Sequence, residues 1–320
     1  MSFFGHEECW RTWRDALSGA RMHHGWILAG KKGLGKASFA MAAARELVAE
    51  QDIPQPSGDH PDIIVLSHLP STAEDEAKKA EGKPYQVKRS IGIAQIRSMQ
   101  QRLFTRPTLG SRRVIVIDPA DDLEKAAANA LLKSLEEPPA GSFFLLVSHR
   151  PGRLLATIRS RCRLLRFPDL SDAQIEAILK EQEPGTDAAT RSAAIAAAAG
   201  SPGAALDFVT HELGGLHGLM REIAEQGDPD FTRRGGLANA IGQRPDRERL
   251  VASLDLARAV LAAELRNAPK KSALKIIEAH SAINRLAGQI PTYNFDPGLL
   301  VMEIGTLLAS AAVDREPGNV

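Results

Sequence analysis

A glycine-rich loop lies between an apolar run and a helical sequence, an arrangement that binds phosphate. The loop reads Gly-Lys-Lys-Gly-Leu-Gly-Lys over residues 30–36, with glycines at Gly30, Gly33 and Gly35. Glycines let backbone N–H groups turn toward an anion at the N-terminus of the following helix. Lys36 stands where the motif places the lysine that reaches the outer phosphates. The stretch therefore predicts a phosphate-binding loop.

The residue after Lys36 departs from this motif. At this position the motif has a residue whose hydroxyl holds Mg²⁺. In this chain the residue is Ala37. Ser38 comes one residue later, about 100° further round the helix, so its hydroxyl is expected to point away from a metal. We therefore predict no metal ligand and no efficient hydrolysis at this loop. Either the loop still shapes a phosphate site, or it has lost nucleotide binding altogether.

A second segment ends in an aspartate at the position where ATPases carry one. Val114–Ile117 is a β-branched run that suits a buried parallel strand, and Asp118 follows it as a Walker B aspartate would. ATPases of this kind usually place a glutamate next, which polarises the attacking water, but Pro119 stands there. Asp121 and Asp122 lie further along and cannot be assumed to replace that glutamate.

A polar residue and an arginine-rich string follow in the next part of the chain. Ser142–Val147 reads as another buried strand, and Ser148 stands at its carboxyl end. Open α/β sheets place ligand-facing residues at that edge. The string Arg159-Ser160-Arg161-Cys162-Arg163 comes after a short segment, Ala156–Ile158.

Strands and helices alternate in the part of the chain that carries these residues. The apolar run Trp26–Ala29 predicts a buried strand before the loop, and Ala37–Glu50 predicts the helix after it. The other expected elements are a helix over Glu7–Ala20, a loop over Gln51–Pro61, a strand over Asp62–Leu66, a charged and mobile excursion over Ser71–Lys83, and helices over Ile91–Leu103 and Asn129–Pro139. The pattern indicates an α/β domain.

The pattern changes after Phe167-Pro168, where helical sequences take over. Ser171 and Gln174 form a capping box at the start of a helix, and a small helical lid follows. No segment over 211–308 predicts a strand. The expected division is an α/β domain over 1–168, a helical lid over 169–208 and an all-α domain over 209–320, with a disordered tail over 314–320.

Composition and charge exclude several classes of protein. The chain has 320 residues, 43% of them apolar, and a net charge of +1, so it implies no global attraction to DNA or membranes. Its two cysteines, Cys9 and Cys162, argue for a reducing compartment and against a disulfide scaffold. No apolar run approaches the length of a membrane span, and the first residues are not those of a signal peptide. We expect a cytoplasmic protein with no membrane partner.

One region is locally basic although the whole chain is nearly neutral. Its cations are Lys88, Arg89, Arg97, Arg102, Arg106, Arg112 and Arg113. They form either a solvated face or a surface that contacts DNA phosphates.

Four strings together resemble one known family. They are His24–Lys36, Val114–Asp121, Asn129–Pro139 (Asn-Ala-Leu-Leu-Lys-Ser-Leu-Glu-Glu-Pro-Pro) and Thr157–Cys162, in the family's order and within about residues 5–168. On these strings the chain resembles the AAA+ clamp-loader family of bacterial DNA polymerase III. A weaker match lies at Asn294-Phe295-Asp296-Pro297. The resemblance implies an AAA+ P-loop domain with a parallel sheet, then a small helical lid and an all-α collar domain that joins a pentamer.

The resemblance also implies roles for individual residues. Asp118 matches the Walker B position, Ser148 matches sensor 1, and the loop matches a degenerate P-loop. Arg161 matches an arginine finger, which reaches a neighbouring subunit's nucleotide and stabilises phosphoryl charge in trans. The alternative for Arg161 is an ordinary surface or ion-paired arginine.

Two further features depart from the family pattern. Gly203 stands where the lid usually carries an arginine that senses nucleotide. Residues 51–90 contain none of the four cysteines that hold zinc in many members. We therefore expect no zinc and no certain cofactor in this chain, with ATP bound by neighbouring subunits.

Three hypotheses for function follow. The first is a non-hydrolysing clamp-loader subunit that helps load the sliding clamp onto primed DNA, without intrinsic ATPase but within a DNA polymerase holoenzyme. Its partners would be the ATPase subunits and the delta subunit of a hetero-pentamer, with the clamp and DNA reached through the complex. The second is an independent AAA+ ATPase, against which Ala37, Pro119 and Gly203 count. The third is a nucleotide-regulated binding module outside replication, which the four strings disfavour.

Overall fold

The computed structural model describes residues 5–19, 22–51, 53–242, 245, 247–289 and 295–312. The chain divides into two compact units, Met1–Asp169 and Leu170–Val320. Asn294 of the weaker family match and the tail over 314–320 lie outside the described residues. Across the described residues, no helix combines the length and the apolarity needed to cross a membrane.

The first unit is built on a parallel sheet of apolar strands. In chain order the described strands are β1 (Gly25–Ala29), β2 (Ile63–Leu66), β3 (Arg113–Ile117), β4 (Ser142–Ser148) and β5 (Arg163–Arg166). Their spatial order is β2-β3-β4-β1-β5, and every pairing is parallel. Every residue of β1 and β3 is buried, as expected for strands with helices on both faces of the sheet.

Helices cover both faces of this sheet. The helices of this unit are α1 (Glu7–Ser18), α2 (Lys36–Val48), α3 (Ala73–Ala80), α4 (Ile93–Leu103), α5 (Lys125–Glu136) and α6 (Ala156–Arg159). One apolar cluster packs α1 and α2 on one face, where the rings of Trp13 and Trp26 meet edge to face at 5.4 Å. A second cluster packs α4 and α5 on the other face. The predicted α/β unit with a parallel sheet is confirmed.

An ordered helix replaces the mobile excursion predicted for Ser71–Lys83, so that prediction was wrong. Thr72 caps α3, because its Oγ1 accepts the Asp75 N–H at 3.1 Å. The Asp75 carboxylate in turn accepts the Gln86 N–H at 3.0 Å and ties down the segment after the helix. Thr-x-x-Asp is a helix-start signal, which the high charge of this stretch obscured.

The second unit is helical throughout its described residues. Its helices are α7 (Asp172–Gln182), α8 (Ala188–Ala198), α9 (Pro202–Thr210), α10 (Gly214–Gln226), α11 (Thr232–Ile241), α12 (Arg247–Asn267), α13 (Lys270–Gln289) and α14 (Pro297–Ser310). The predicted capping box is present, since the Ser171 N–H donates to Gln174 Oε1 at 2.9 Å. One apolar core runs from Leu170 to Ala311. The predicted boundary at 208/209 falls within this core, and the division into lid and collar stays a prediction.

A buried ion pair joins Asp228, before α11, to Arg234 on α11, and its arginine also contacts α14 in the second unit. The Asp228 side chain is fully buried and accepts Arg234 Nε–H at 2.8 Å, as well as the backbone N–H groups of Arg233 and Arg234, both at 3.0 Å. The Arg234 guanidinium also donates to Thr306 Oγ1 at 3.0 Å. Burial by itself would raise the pKa of Asp228, but the hydrogen bonds from Arg234 and Arg233 outweigh it and hold the pKa below its usual value.

Asp228→Ala is expected to lower the free energy of unfolding of the helical unit by about 3–5 kcal/mol, since it leaves the Arg234 charge buried and uncompensated. Asp230→Ala, at an exposed position nearby, is the matched control and should cost much less. Urea titration followed by far-UV circular dichroism measures both. Because the native pKa is depressed, the Asp228 contribution is complete near neutral pH. It is lost as the pH falls from about 4 through the native pKa. Equal midpoints for the two variants at pH 7 would contradict this assignment.

Candidate functional site

The predicted phosphate loop forms the turn between β1 and α2. Gly33 and Gly35 have φ values of +81° and +75°, a left-handed conformation that favours glycine. Gly30 continues β1, since its N–H donates to the Ser148 carbonyl at 3.3 Å. A Cβ at Gly30 would come within 2.8 Å of the Phe167 carbonyl oxygen. These three positions therefore require glycine.

Lys36 opens α2 with its side chain buried. Its Nζ donates to the carbonyl of Lys31, a residue of the same loop, and 2% of Lys36 is exposed. Burial lowers the pKa of this ammonium to about 8, although the carboxylates of Asp118 and Asp121 favour its charged form. The cation that the motif aims at the outer phosphates is thus engaged by the backbone of its own loop.

Asp118 and Ser148 lie at the same edge of the sheet as this loop. Asp118 follows the last residue of β3, and its N–H donates to the Leu66 carbonyl at 2.9 Å. Burial raises the pKa of the Asp118 carboxyl, and the nearby Lys36 charge opposes that rise. Ser148 ends β4, pairs with Ala29 of β1, and is fully buried. The structure therefore brings the loop, Asp118 and Ser148 together, as the sequence predicts.

Asp121 binds Ser148, a contact that no sequence signal marks. Ser148 Oγ donates to Asp121 Oδ1 at 2.7 Å, and the His149 N–H donates to Asp121 Oδ2 at 2.5 Å. Both carboxylate oxygens of Asp121 are therefore engaged in fixing the end of β4. Asp121 therefore has a structural role and does not replace the glutamate that is missing after Asp118.

The residues around the loop do not fit a magnesium–nucleotide complex. Ala37 offers no oxygen ligand at the position where the motif needs one. The Ser38 side chain is exposed on the following position of α2, and Pro119 offers no carboxylate after Asp118. A phosphate group could still meet the backbone amides of the loop, but the hydroxyl that holds Mg²⁺ together with a Walker B aspartate is missing.

ATP is therefore expected to bind this loop weakly, with a Kd of about 1 mM or weaker, and Mg²⁺ should not tighten it. Residual affinity should fall as pH rises past about 8, because Lys36 then loses the positive charge that attracts phosphate. Titration calorimetry at pH 7 and pH 9 measures both effects, and Lys36→Met serves as the control without the charge. Tight binding that depends on magnesium would show that Ala37 does not prevent the loop from binding a magnesium–nucleotide complex.

His6 braces the loop from the segment before α1. Its Nε2 donates to the Leu34 carbonyl at 2.7 Å, and its ring packs edge-on against Phe167 with centroids 4.9 Å apart. Burial lowers the pKa of His6, which favours the neutral ring. A lone histidine this far along the chain from its partners carries no recognisable sequence signal, so sequence reasoning missed it.

Arg161 lies at the opposite edge of the sheet. It sits between α6 and β5, beside the first residue of β1: a Cβ on Gly25 would come within 3.2 Å of the Arg161 carbonyl oxygen and 2.9 Å of Cys162 Sγ. The Arg161 side chain is 34% exposed. Its guanidinium donates to the Thr157 carbonyl at 2.9 Å and pairs with Glu136 at 2.7 Å.

The phosphate loop and Arg161 are therefore separate sites. β1 runs from Gly25, beside Arg161, to Ala29, immediately before the loop. The four residue steps from Gly25 to Ala29 span about 13 Å, more than an arginine side chain can cover. The Arg161 guanidinium also turns to the end of α5, where Glu136 lies, and not along β1. Arg161 cannot reach a phosphate held by its own loop.

Part of the predicted basic region is structural. Arg113 is buried and pairs with Asp62 at 3.4 Å, so a solvated face is the wrong interpretation for that residue. Arg102 Nη2 donates to the Pro61 carbonyl at 2.8 Å. The exposed cations of the region are Lys88, Arg89, Arg97, Arg102 and Arg106. Contact between these residues and DNA stays a prediction.

Comparison with known proteins identifies relatives for the first half of the chain. The family described as DNA polymerase III, delta subunit, matches residues 5–171. DNA polymerase III subunit delta' of Escherichia coli is 34% identical over 199 residues, which cover 58% of this chain and 54% of the relative. Subunit delta' of Bacillus subtilis is 32% identical over 180 residues, which cover 53% and 49%. The chain thus spans about half the length of these curated relatives.

A solved structure extends the likeness in fold to most of the chain. It is a DNA polymerase III gamma subunit-related protein from Thermotoga maritima, with a TM-score of 0.50 and 18% identity. The match covers 94% of this chain and 98% of that one. At this identity the likeness concerns the fold alone. It confirms the predicted α/β fold followed by a helical part.

Proposed function

Because the chain belongs to the family described as DNA polymerase III, delta subunit, we propose that it is a delta'-like clamp-loader subunit that serves a neighbour's ATP through Arg161. It hydrolyses no ATP itself. Within the complex it helps to load the sliding clamp onto primed DNA.

The observation that carries the proposal is the separation of Arg161 from its own phosphate loop. The arginine stands at the amino edge of the sheet beside Gly25, whereas the loop, Asp118 and Ser148 stand at the carboxyl edge. The guanidinium is partly exposed and cannot reach the phosphate loop of its own chain. It can therefore act on a phosphate only when another chain brings that phosphate to it. The chain's own loop lacks the parts for hydrolysis, so a finger here serves a different subunit.

The chemistry follows from the geometry of a guanidinium. Its planar fork of N–H donors matches the oxygens of a phosphoryl group and stays charged at any physiological pH. During phosphoryl transfer negative charge spreads over those oxygens, and a positioned arginine stabilises it. The neighbouring subunit would supply the bound ATP, its metal and the attacking water.

The proposed partners are the ATPase subunits and the delta subunit in a hetero-pentamer, with clamp and primed DNA reached through that complex. The delta' relatives support the choice of complex. Gly203, in the first turn of α9, leaves the lid without a nucleotide-sensing arginine and agrees with a subunit that does not hydrolyse. A cytoplasmic location, where replication proteins work, is part of the same proposal.

Co-purification tests this proposal against a binding module outside replication. The chain should co-elute with clamp-loader ATPase subunits and delta in one complex, and that complex should bind the sliding clamp when ATP is present. A chain that elutes alone from the complete mixture, while the other subunits assemble, would contradict the proposal.

A further inference from the structure

Glu136 forms an ion pair with Arg161. It belongs to the Asn-Ala-Leu-Leu-Lys-Ser-Leu-Glu-Glu-Pro-Pro string and is the last residue of α5. Its Oε1 lies 2.7 Å from Arg161 Nη2, with the two side chains 47% and 34% exposed. The pair is therefore formed at the surface, where an incoming chain can meet it.

Three acceptors hold one side of the Arg161 guanidinium. Nη1 donates to the Thr157 carbonyl at 2.9 Å and to Ser160 Oγ at 3.3 Å, while Nη2 binds Glu136. A guanidinium has five N–H donors in one plane. Among the described residues no hydrogen bond uses the Nε–H or the Nη2 donors, and the contact of Nη2 with Glu136 is an ion pair. These contacts hold the guanidinium on one side and leave its Nε–H and Nη2 donors for another group.

Both members of the pair are anchored on packed elements. Leu135, next to Glu136, is 1% exposed, and its carbonyl accepts His24 Nε2–H at 3.0 Å. The Arg161 N–H donates to the carbonyl of Ile158, which is also 1% exposed. The backbone positions that carry Glu136 and Arg161 are thus held by the core on which α5 and α6 rest.

We propose that Glu136 is a positioning residue for Arg161, holding the guanidinium in one orientation before a neighbour's nucleotide arrives. The inference rests on the proposed function of Arg161 as an arginine finger. An arginine loses much rotamer freedom when it is fixed. An acceptor that orients it in advance removes part of that cost from the step in which phosphate is contacted.

The test compares Glu136→Ala and Glu136→Gln in the reconstituted complex with Glu137→Ala as the matched control, since Glu137 is adjacent, exposed and outside the ion pair. Glu136→Ala should lower the kcat of the ATPase stimulated by DNA and clamp about tenfold at the neighbour's nucleotide site that Arg161 contacts. The KM for ATP should not change, because a misplaced group of this kind costs rate and not ground-state binding. Glu136→Gln keeps an acceptor for Nη2 and should retain more of the rate. Glu137→Ala should match wild type.

The double variant Arg161→Ala/Glu136→Ala separates this inference from the proposed function. Its ATPase should equal that of Arg161→Ala alone, because Glu136 acts through the arginine. If Arg161→Ala lowers the rate while Glu136→Ala runs at or above the wild-type rate, Glu136 does not position the finger and the proposed function stands. Additive losses would likewise overturn the positioning role. If Arg161→Ala changes nothing, the finger and the positioning role fall together.

A spectroscopic readout checks the pair without reference to activity. Guanidinium ¹⁵N NMR of the full chain should show slowed rotation about the Cζ–Nη2 bond of Arg161 in wild type and in Glu137→Ala. That slowing should be absent in Glu136→Ala, with circular dichroism unchanged. The same Arg161 signal in all three proteins would overturn the positioning role.

Discussion

Arg161→Ala is expected to lower the ATPase of the reconstituted clamp-loader complex, stimulated by DNA and clamp, while folding and assembly stay close to wild type. Arginine fingers contribute roughly 10³–10⁵ in rate at a single site in other phosphoryl-transfer systems. The ATPase rate of the whole complex should fall by less than this if the other sites hydrolyse ATP independently. It should fall by more than one site's share if hydrolysis at the sites is concerted. Stability should hardly change, because a half-exposed ion pair such as that with Glu136 contributes about 0–1 kcal/mol.

Two companion variants sharpen this prediction. Arg159→Ala removes an exposed arginine of the same string, at the end of α6, and should leave the stimulated rate unchanged. Arg161→Lys keeps the charge but cannot offer the forked donors, and it should not rescue the rate. Wild-type ATPase and clamp loading by Arg161→Ala, with assembly confirmed by co-elution, would leave this arginine a purely structural residue.

A chain that ends at Asp169 is expected to fold but to be unable to join the complex. The first unit has its own sheet and an apolar cluster on each face, so it contains what it needs to fold. The second unit carries exposed apolar side chains on α13 and at the start of α14: Leu274 at 64%, Ile277 at 47% and Leu299 at 72% exposure. Exposed apolar positions of this kind are typical of subunit interfaces.

The choice of end point follows from the core of the second unit. A chain cut at the predicted lid boundary, after Phe208, keeps α7 and α8 but loses α10 and α12, which complete the same apolar core. It should therefore expose Phe208, which is 1% exposed in the full chain, and aggregate. Co-elution with the other subunits, after circular dichroism has shown folding, measures both truncated chains. Stable entry of the 1–169 chain into the complex would refute this assignment.

Most strands and helices were predictable because each carries a local signal, but β5, which has only two apolar residues between two arginines, was not predicted. Apolar runs such as Val114–Ile117 predict the buried strands, and the glycines of the phosphate loop predict the turn. Boundaries were less certain: α5 begins at Lys125 and not at the predicted Asn129, because the polar and small residues before Asn129 show no apolar stripe. The helix α3 was missed because charge masked its Thr72 cap.

The side-chain partners at the two sites were not predictable in the same way. The contacts of Asp121 with Ser148 and of Arg161 with Glu136 join residues that the fold brings together and that no periodicity links. Arg113 illustrates the same limit: its charge looked like part of a basic surface, yet it starts a buried strand and its partner Asp62 is also buried. Residue type locates candidate chemistry along the chain, whereas the partner that decides its role depends on tertiary packing.

A clamp-loader subunit that hydrolyses nothing itself, but is needed for hydrolysis by its neighbours, should give a distinct pattern of ATPase rates in three samples. These are the chain alone, the other clamp-loader subunits without it, and the complete mixture, each with clamp and primed DNA. We predict no turnover by the chain alone, a low rate without it, and a stimulated rate only when it is present. Turnover of about 1 s⁻¹ or more by the chain alone, or a stimulated rate that does not depend on its presence, would rule out this role for the chain.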